Sequence, residues 1–278
     1  MHLCLIMTTR GRDNAVLERF FYSLAQQEYR DFELILGDQN LPGHLDPLLR
    51  KYERLFPCKR IFLSPCGLSE ARNRLLSVAT GEYVALADDD CYYAPDSFAR
   101  LVYYAERYPE AAALIANGSS EVNAFLGAKL ESPKRLSRYG VFKNAPSWCI
   151  FLRRDVLMAV GPFDENMGIG AKTPWQSGEE TDILLRIITA RKAVYRMPSV
   201  RVFHDALPVT DGALAKMEAY GMGRMYLLHK QGFPFWFKLA NILYPLCIMV
   251  LELPKHRLNA VRRRFAIFKG RMKGFILI

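Results

Sequence analysis

Along the first two hundred residues the apolar positions switch repeatedly between two patterns, continuous short runs and a 3.6-residue period. Residues 3–7, Leu-Cys-Leu-Ile-Met, form an unbroken apolar run and predict a strand covered on both faces. Behind Asp13, a good N-cap, Leu17, Phe20, Phe21 and Leu24 recur at i, i+3, i+4 and i+7 and predict a helix. Residues 32–36, 61–63 and 83–87 read as further strands. Ser69 is the expected cap of a helix reaching about residue 79, closed by Gly81. From Pro95-Asp96 a second amphipathic helix carries Phe98, Leu101, Val102 and Ala105. Residues 117–147, rich in Gly, Ser, Asn and Lys, read as loops, and 148–152 as a strand. A glycine-rich stretch (Gly168, Gly170, Gly178) then delivers Glu179, Glu180, Thr181 and Asp182 to the start of a helix. Two short strands, 194–197 and 200–203, end at His204. The alternation predicts an α/β protein with a mostly parallel, doubly wound sheet and right-handed crossovers.

Composition narrows this picture in two places. With 278 residues, 51% hydrophobic and 24% charged, the chain can bury a sizeable core and is not globally disordered. The formal charge of +10 is local: residues 214–278 hold 12 of the 38 Lys and Arg but only Glu218 and Glu252 of the 28 acids, and the remainder balances. A uniformly basic nucleic-acid binder is therefore excluded, and nucleic acid is not among the expected partners. The six cysteines are scattered without a C-x-x-C pair, which suits neither a zinc site nor a disulfide framework and points to a reducing cytosol. The opening apolar run lacks a cationic n-region and a small-residue cleavage site, so no secretory signal is expected.

The sharpest chemical feature is Asp88-Asp89-Asp90, directly behind the apolar run Val84-Ala85-Leu86-Ala87. Two like charges about 4 Å apart repel by roughly 1 kcal/mol in water and several-fold more near a protein surface. Such a triplet is stable when protonated, solvated or bound to a cation, and hard oxygen donors at this density suit Mg²⁺ or Mn²⁺ bridged to phosphates. Carboxyl ends of parallel strands form the ligand face of an open α/β sheet. Thr8, Thr9 and Arg10 after the first strand, Asp38 after the second and the aspartates after the fourth all map to that edge.

These residues occur in an order that resembles the family 2 glycosyltransferases, nucleotide-sugar enzymes of GT-A fold, over about residues 3–205. Leu5-Ile6-Met7-Thr8-Thr9 is similar to the family's first-strand motif, with Met7 where Pro is usual. Leu34-Ile35-Leu36-Gly37-Asp38 is similar to the second strand, and Gly67-Leu68-Ser69-Glu70-Ala71-Arg72-Asn73 to a G-x-S-x-A-R-N segment. Gly81-Glu82-Tyr83 through Asp90 resembles G-E-Y-x-x-x-x-D-x-D, and Phe163-Asp164-Glu165 followed by Gly178-Glu179-Glu180-Thr181-Asp182 resembles F-D-E…G-E-D-x-D. The resemblance implies a nucleoside-diphosphate sugar as donor, contacted by Thr8, Thr9, Arg10, Asp38, Arg72, Asn73, Asp88 and Asp89. It implies Mn²⁺ or Mg²⁺ on Asp90 and Asp88, and His204 can complete that set. The catalytic base falls at Glu180, where the family has Asp; Glu179 and Asp182 are the substitutes. Trp175 is the candidate acceptor contact.

The expected organisation is a catalytic domain over 1–212 (nucleotide half 1–116, acceptor half 117–212) and a basic, amphipathic helical tail over 213–278. Between Lys238 and Glu252 lie 13 uncharged residues, interrupted by Asn241 and Pro245, against the roughly 20 of a bilayer span. With its neighbouring Lys and Arg, 233–273 reads as a helical segment associating with an anionic membrane surface; a hairpin packed on the domain is the competing expectation. Together these features predict a metal-dependent, inverting glycosyltransferase of hexosyltransferase type, cytoplasmic and peripheral to the inner face of the plasma membrane, acting on a lipid-linked or cell-envelope glycan. The rivals are a sugar nucleotidyltransferase and a catalytically silent peripheral membrane protein of the same fold.

Overall fold

The computed structural model describes residues 1–120, 130–205, 210–253 and 257–278. Two compact units are present: Met1–Cys66, Glu70–Pro162 and Ile183–Asp205 form one, Gly67–Ser69, Phe163–Asp182 and Ala206–Ile278 the other.

The first unit is built on a nine-stranded sheet. Its strands are β1 (Leu3–Thr9), β2 (Phe32–Asp38), β3 (Cys58–Phe62), β4 (Tyr83–Ala87), β5 (Cys91–Tyr93), β6 (Ala111–Ser119), β7 (Lys134–Arg135), β8 (Ile150–Arg153) and β9 (Ala193–His204). They lie in the order β3-β2-β1-β4-β8-β6-β9-β5, with β7 paired to β9. β3, β2, β1 and β4 are mutually parallel, as the alternation predicts. Beyond β4 the sheet turns mixed: β8 runs antiparallel to both β4 and β6, while β6 and β9 are parallel. The apolar runs of β1 and β4 are buried throughout, which is why their sequences do not alternate.

Helix α1 (Asn14–Ala25) starts where Asp13 accepts the Ala15 amide at 2.7 Å. Its predicted stripe, Leu17, Phe20, Phe21 and Leu24, is at most 1% exposed. Helices α2 (Asp46–Tyr52), α3 (Leu68–Leu76), α4 (Ser97–Arg107), α5 (Val141–Asn144), α6 (Arg154–Val160) and α7 (Glu179–Thr189) follow. On α4 the residues named from the sequence, Phe98, Leu101, Val102 and Ala105, are buried.

Several local expectations are corrected. Ser69 lies inside α3 rather than capping it, and its hydroxyl donates to the Met167 carbonyl at 2.6 Å. The helix ends at Leu76, short of residue 79. The two strands expected between 194 and 203 are one continuous β9, because a register shift against β6 at Ala116/Asn117 absorbs Pro198 without breaking the strand. Trp148 sits in a 3-10 turn (Ser147–Cys149) before β8. Within 117–147, β6 runs on to Ser119, and β7 and α5 are formed; residues 121–129 lie outside the described residues.

In the second unit, α8 (Asp211–Lys230), α9 (Phe235–Glu252) and α10 (Leu258–Leu277) make up the tail, helical as expected. α8 and α10 approach to backbone contact. A Cβ on Gly270 would collide with the Glu218 carbonyl, and one on Gly274 would lie 2.8 Å from Met222 Cα. The Gly270-x-x-x-Gly274 spacing puts both on one helix face, as in close small-residue crossings. α9 has a mean hydropathy of 1.4 over its 18 residues and is 11% buried, so by length and composition it could cross a membrane.

Candidate active site

Strand register assembles the first cluster. β1 pairs with β2 so that Thr9 lies opposite Asp38, and with β4 so that Met7 lies opposite Ala87, one residue before the aspartates. The three carboxylates cope with their crowding by taking different partners. Asp88 accepts from Arg72 Nη2 and from Ser147 Oγ, both at 3.2 Å. Asp89 accepts from Thr9 Oγ1 at 2.7 Å and from Arg12 Nε at 2.8 Å. Asp90 lies 3.0 Å from His204 Nε2 and 3.1 Å from Arg12 Nη2.

The Asp90–His204 contact follows from topology. β5 leaves the aspartates and pairs antiparallel with the end of β9, and its register sets Cys91 opposite His204. The His204 ring is oriented from its other nitrogen, Nδ1, which lies 2.7 Å from the Asp205 carbonyl oxygen. Its hydrogen bond to Asp90 holds the imidazole above its ordinary pKa, against the opposing effect of burial. Asp90 is held below the usual carboxylate range: burial would raise it, and the His204 bond and the charges of His204 and Arg12 outweigh that.

Trp148 stacks on His204, with ring centroids 5.4 Å apart and planes at 25°. The indole lies over Gly118 of β6, where any Cβ would occupy its place. Gly118→Ala should therefore push Trp148 aside and loosen His204. We expect Gly118→Ala to lose about 1–3 kcal/mol of stability in a denaturant titration, the scale of overpacking a filled site.

Asp38 is fully buried. One oxygen accepts from the Asn40 amide and side chain at 2.9 and 2.8 Å; the other accepts from Arg60 Nε at 2.8 Å and lies 2.6 Å from Nη2 as an ion pair. Arg60 also bridges to Asp46 at 2.6 Å and lies over the Phe62 ring, 4.3 Å from its centroid. Asp38 thus acts on its surroundings through Arg60 and Asn40. Thr8 and Asn73 are half-buried and Arg10 is exposed. The sequence reading missed Arg12, Arg60 and Asn40. Single polar residues in turns or on an edge strand leave no periodic trace.

The second cluster belongs to the other unit. Glu179, Glu180 and Asp182, in the first turn of α7, are 3%, 9% and 0% exposed. Asp182 is clamped by Gln231 at 2.7 Å and Lys230 at 3.0 Å, and Lys230 also holds Asp164 at 2.7 Å. Burial would raise Asp164, yet Lys230 and the Asn166 amide bring it below its ordinary value. This Asp164–Lys230–Asp182 arrangement joins the F-D-E segment to α7 through a lysine that the sequence reading did not single out. Half-buried Trp175 stacks on Tyr226 of α8, centroids 4.9 Å apart and planes at 8°. One indole face is thereby taken.

Three aspartates, two arginines and a histidine gather at the carboxyl edge of the sheet, which is the ligand face of an open α/β fold. The chain belongs to glycosyl transferase family 2, whose model matches residues 4–161. Its mixed α/β sheet is that of the GT-A fold. A mannosyltransferase of Pyrobaculum calidifontis, solved with GDP-Man and Mn²⁺, is similar in fold with a TM-score of 0.72 at 14% identity, over 98% of this chain and 86% of that one. S. aureus TarS is similar with a TM-score of 0.62 at 13% identity, over 94% of this chain and 54% of TarS. TarS 1–349 in complex with UDP-GlcNAc gives 0.60 at 13% identity, over 99% and 91%. In sequence, the protein y4gI of Sinorhizobium fredii is 25% identical over 232 residues. The match takes in 78% of this chain and spans about a quarter of that relative, 24% of its length.

Proposed function

We propose that this chain is a metal-dependent, inverting glycosyltransferase that moves a hexosyl group from a nucleoside-diphosphate sugar to a hydroxyl of a lipid-linked or cell-envelope glycan, at the cytosolic face of the plasma membrane. The observation that carries the reading is the Asp90–His204 pair, 3.0 Å apart at the carboxyl edge of the sheet. A carboxylate oxygen and an imidazole nitrogen suit Mn²⁺ better than Mg²⁺. The Nδ1 contact to a backbone carbonyl is the usual device that turns Nε2 toward a metal. Among the described residues no third His, Cys, Asp or Glu joins the pair. That donor set fits an ion held by one or two protein groups and completed by substrate phosphates, and not a closed protein cage. The mannosyltransferase solved with GDP-Man and Mn²⁺ and TarS solved with UDP-GlcNAc support a nucleotide-sugar donor.

In this reading Asp90 and His204 would hold the ion, which supplies positive charge against the departing diphosphate. Asp38 fixes Arg60 and Asn40 for the nucleotide, and Arg72 is set by Asp88. Thr9 and Arg12 keep Asp89 in place. Glu180 accepts the proton of the acceptor hydroxyl as its oxygen bonds to the anomeric carbon. The bond from that carbon to the diphosphate breaks on the opposite face, and its electron pair leaves with the nucleoside diphosphate. Asp182, with both oxygens bonded to Lys230 and Gln231, positions the start of α7. Trp175 offers its second face to the acceptor sugar.

The membrane side of the proposal rests on the tail. Phe235, Trp236, Tyr244, Val250 and Leu251 of α9 and Leu258, Ile276 and Leu277 of α10 are more than half exposed. Lys and Arg outnumber acids 12 to 2 over 214–278. Exposed aromatics beside positive charge match an anionic lipid surface, where each basic residue contributes about 1 kcal/mol.

Thermal shift with each nucleoside diphosphate and Mn²⁺ tests the donor. One base should stabilise the chain by about 5 °C at ligand concentrations near a hundred times Kd. A flat response to every nucleotide overturns the assignment.

A further inference from the structure

The tail helices bring positive charge inward as well as outward. Arg224 of α8 donates through Nε to Asn241 Oδ1 of α9 at 3.2 Å, and Arg271 of α10 donates to the backbone carbonyl of the same residue. Two guanidinium groups from different helices thus converge on Asn241, itself buried. The α8–α10 crossing enforces the convergence, since a Cβ on Gly221 would lie 2.9 Å from the Arg271 amide nitrogen. Arg271 Nε is shielded from solvent and has no hydrogen-bond partner among the described residues. Burial, then the charge of Arg271, pushes Arg224 down to about 9. Burial, then Arg264, pushes Arg271 down to about 10. A guanidinium keeps its proton at physiological pH, so the repulsion persists as positive potential that a bound anion would relieve. Two acids of these helices are engaged elsewhere: Glu218 holds Lys269 and Lys273, and Glu252 holds Arg257 at 3.4 Å.

We propose that Arg224 and Arg271, with Arg264 beside them, form a binding site for a phosphate group, supplied by the headgroup of a membrane lipid. The planar guanidinium fork matches phosphate oxygens, and a donor without a partner is what such a ligand would engage. The lipid as source follows from the surroundings. Asn241, on which both arginines converge, lies on α9 one turn before Tyr244, which is 51% exposed; Trp236, Leu239 and Leu243 are exposed as well, so the cationic pair sits beside an exposed apolar face. This inference rests on the reading of the tail as a membrane-docking surface and adds a specific headgroup site to it.

The test uses the full chain and three kinds of vesicle: phosphatidylcholine alone, phosphatidylcholine with phosphatidic acid, and phosphatidylcholine with oleate at matched surface charge. The phosphate-bearing vesicles should bind about tenfold more tightly than the carboxylate-bearing ones. Arg271→Lys keeps the charge but loses the fork, and should abolish that preference while retaining binding to oleate vesicles. Arg262→Gln, an exposed control, should weaken both alike. A separate melting series with inorganic phosphate and pyrophosphate identifies the source. Stabilisation that Arg271→Lys removes, with no vesicle binding at all, assigns the phosphate to a soluble ligand and overturns the membrane reading. Equal binding to both anionic vesicles, with no stabilisation by either phosphate, overturns the site and leaves membrane docking standing. A phosphate preference that survives in both Arg271→Lys and Arg224→Lys overturns it as well.

Discussion

Asp90→Ala should lower sugar transfer by about a thousandfold, the scale of losing one preorganised charge-stabilising group. The substitution removes the carboxylate that pairs with His204 at 3.0 Å and with Arg12 at 3.1 Å, while Asp88 and Asp89 keep Arg72, Ser147, Thr9 and the other Arg12 contacts. The Asp38, Arg60 and Asn40 cluster, proposed to meet the nucleotide, is untouched. Nucleoside diphosphate without metal should therefore stabilise parent and variant equally, and the additional stabilisation by Mn²⁺ should vanish only in the variant. Adding a chelator to the parent should reproduce the loss of activity. Transfer at the parent rate in Asp90→Ala, or in chelator, would remove the metal from the proposal.

Glu180→Gln should lower kcat by about three orders of magnitude with little change in donor KM, because general-base assistance is worth roughly 10²–10⁴-fold and acts only as the acceptor hydroxyl is deprotonated. The amide keeps the size and most hydrogen bonds of the carboxylate but cannot take a proton. Glu180→Asp, which installs the residue common at this place in the family, should keep more activity than Glu180→Gln. Asp182→Asn separates the two roles within one turn of α7. Its carboxylate is fully buried between Lys230 and Gln231, so breaking that pair should cost about 3 kcal/mol of stability in a denaturant titration. A Glu180→Gln enzyme with parental kcat, or an Asp182→Asn enzyme that is fully stable yet inactive, would move the base to Asp182.

The strands and their shared edge are legible in the sequence. Runs such as residues 3–7 and 83–87 are apolar on both faces only when helices cover both sides, and such strands pair in parallel. The helical stripes on α1 and α4 were equally plain, since burial selects apolar residues at a fixed period. β6 was missed for the opposite reason. Its opening, Ala-Ala-Ala-Leu-Ile-Ala, is rich in a residue that favours helix, and it is a strand because the sheet buries it completely. The continuous β9 was read as two strands because Pro198 interrupts the pattern, and only pairing with β6 shows that the interruption is a register shift.

The candidate site divides along the same line. Sequence alone determined that Thr9, Asp38 and the three aspartates share one edge, because each closes an apolar run and consecutive parallel strands end on the same side. Tertiary structure alone decided what each carboxylate holds: Arg60 on Asp38 from 22 residues away, Arg12 on Asp89 from 77 away, His204 on Asp90 through the β5–β9 register, and Lys230 across Asp164 and Asp182. The reason is physical. Local order leaves a periodic imprint because every residue of an element meets the same environment in turn, whereas an ion pair across the fold involves two residues once, and its partners are chosen by register and by the reach of a side chain through space.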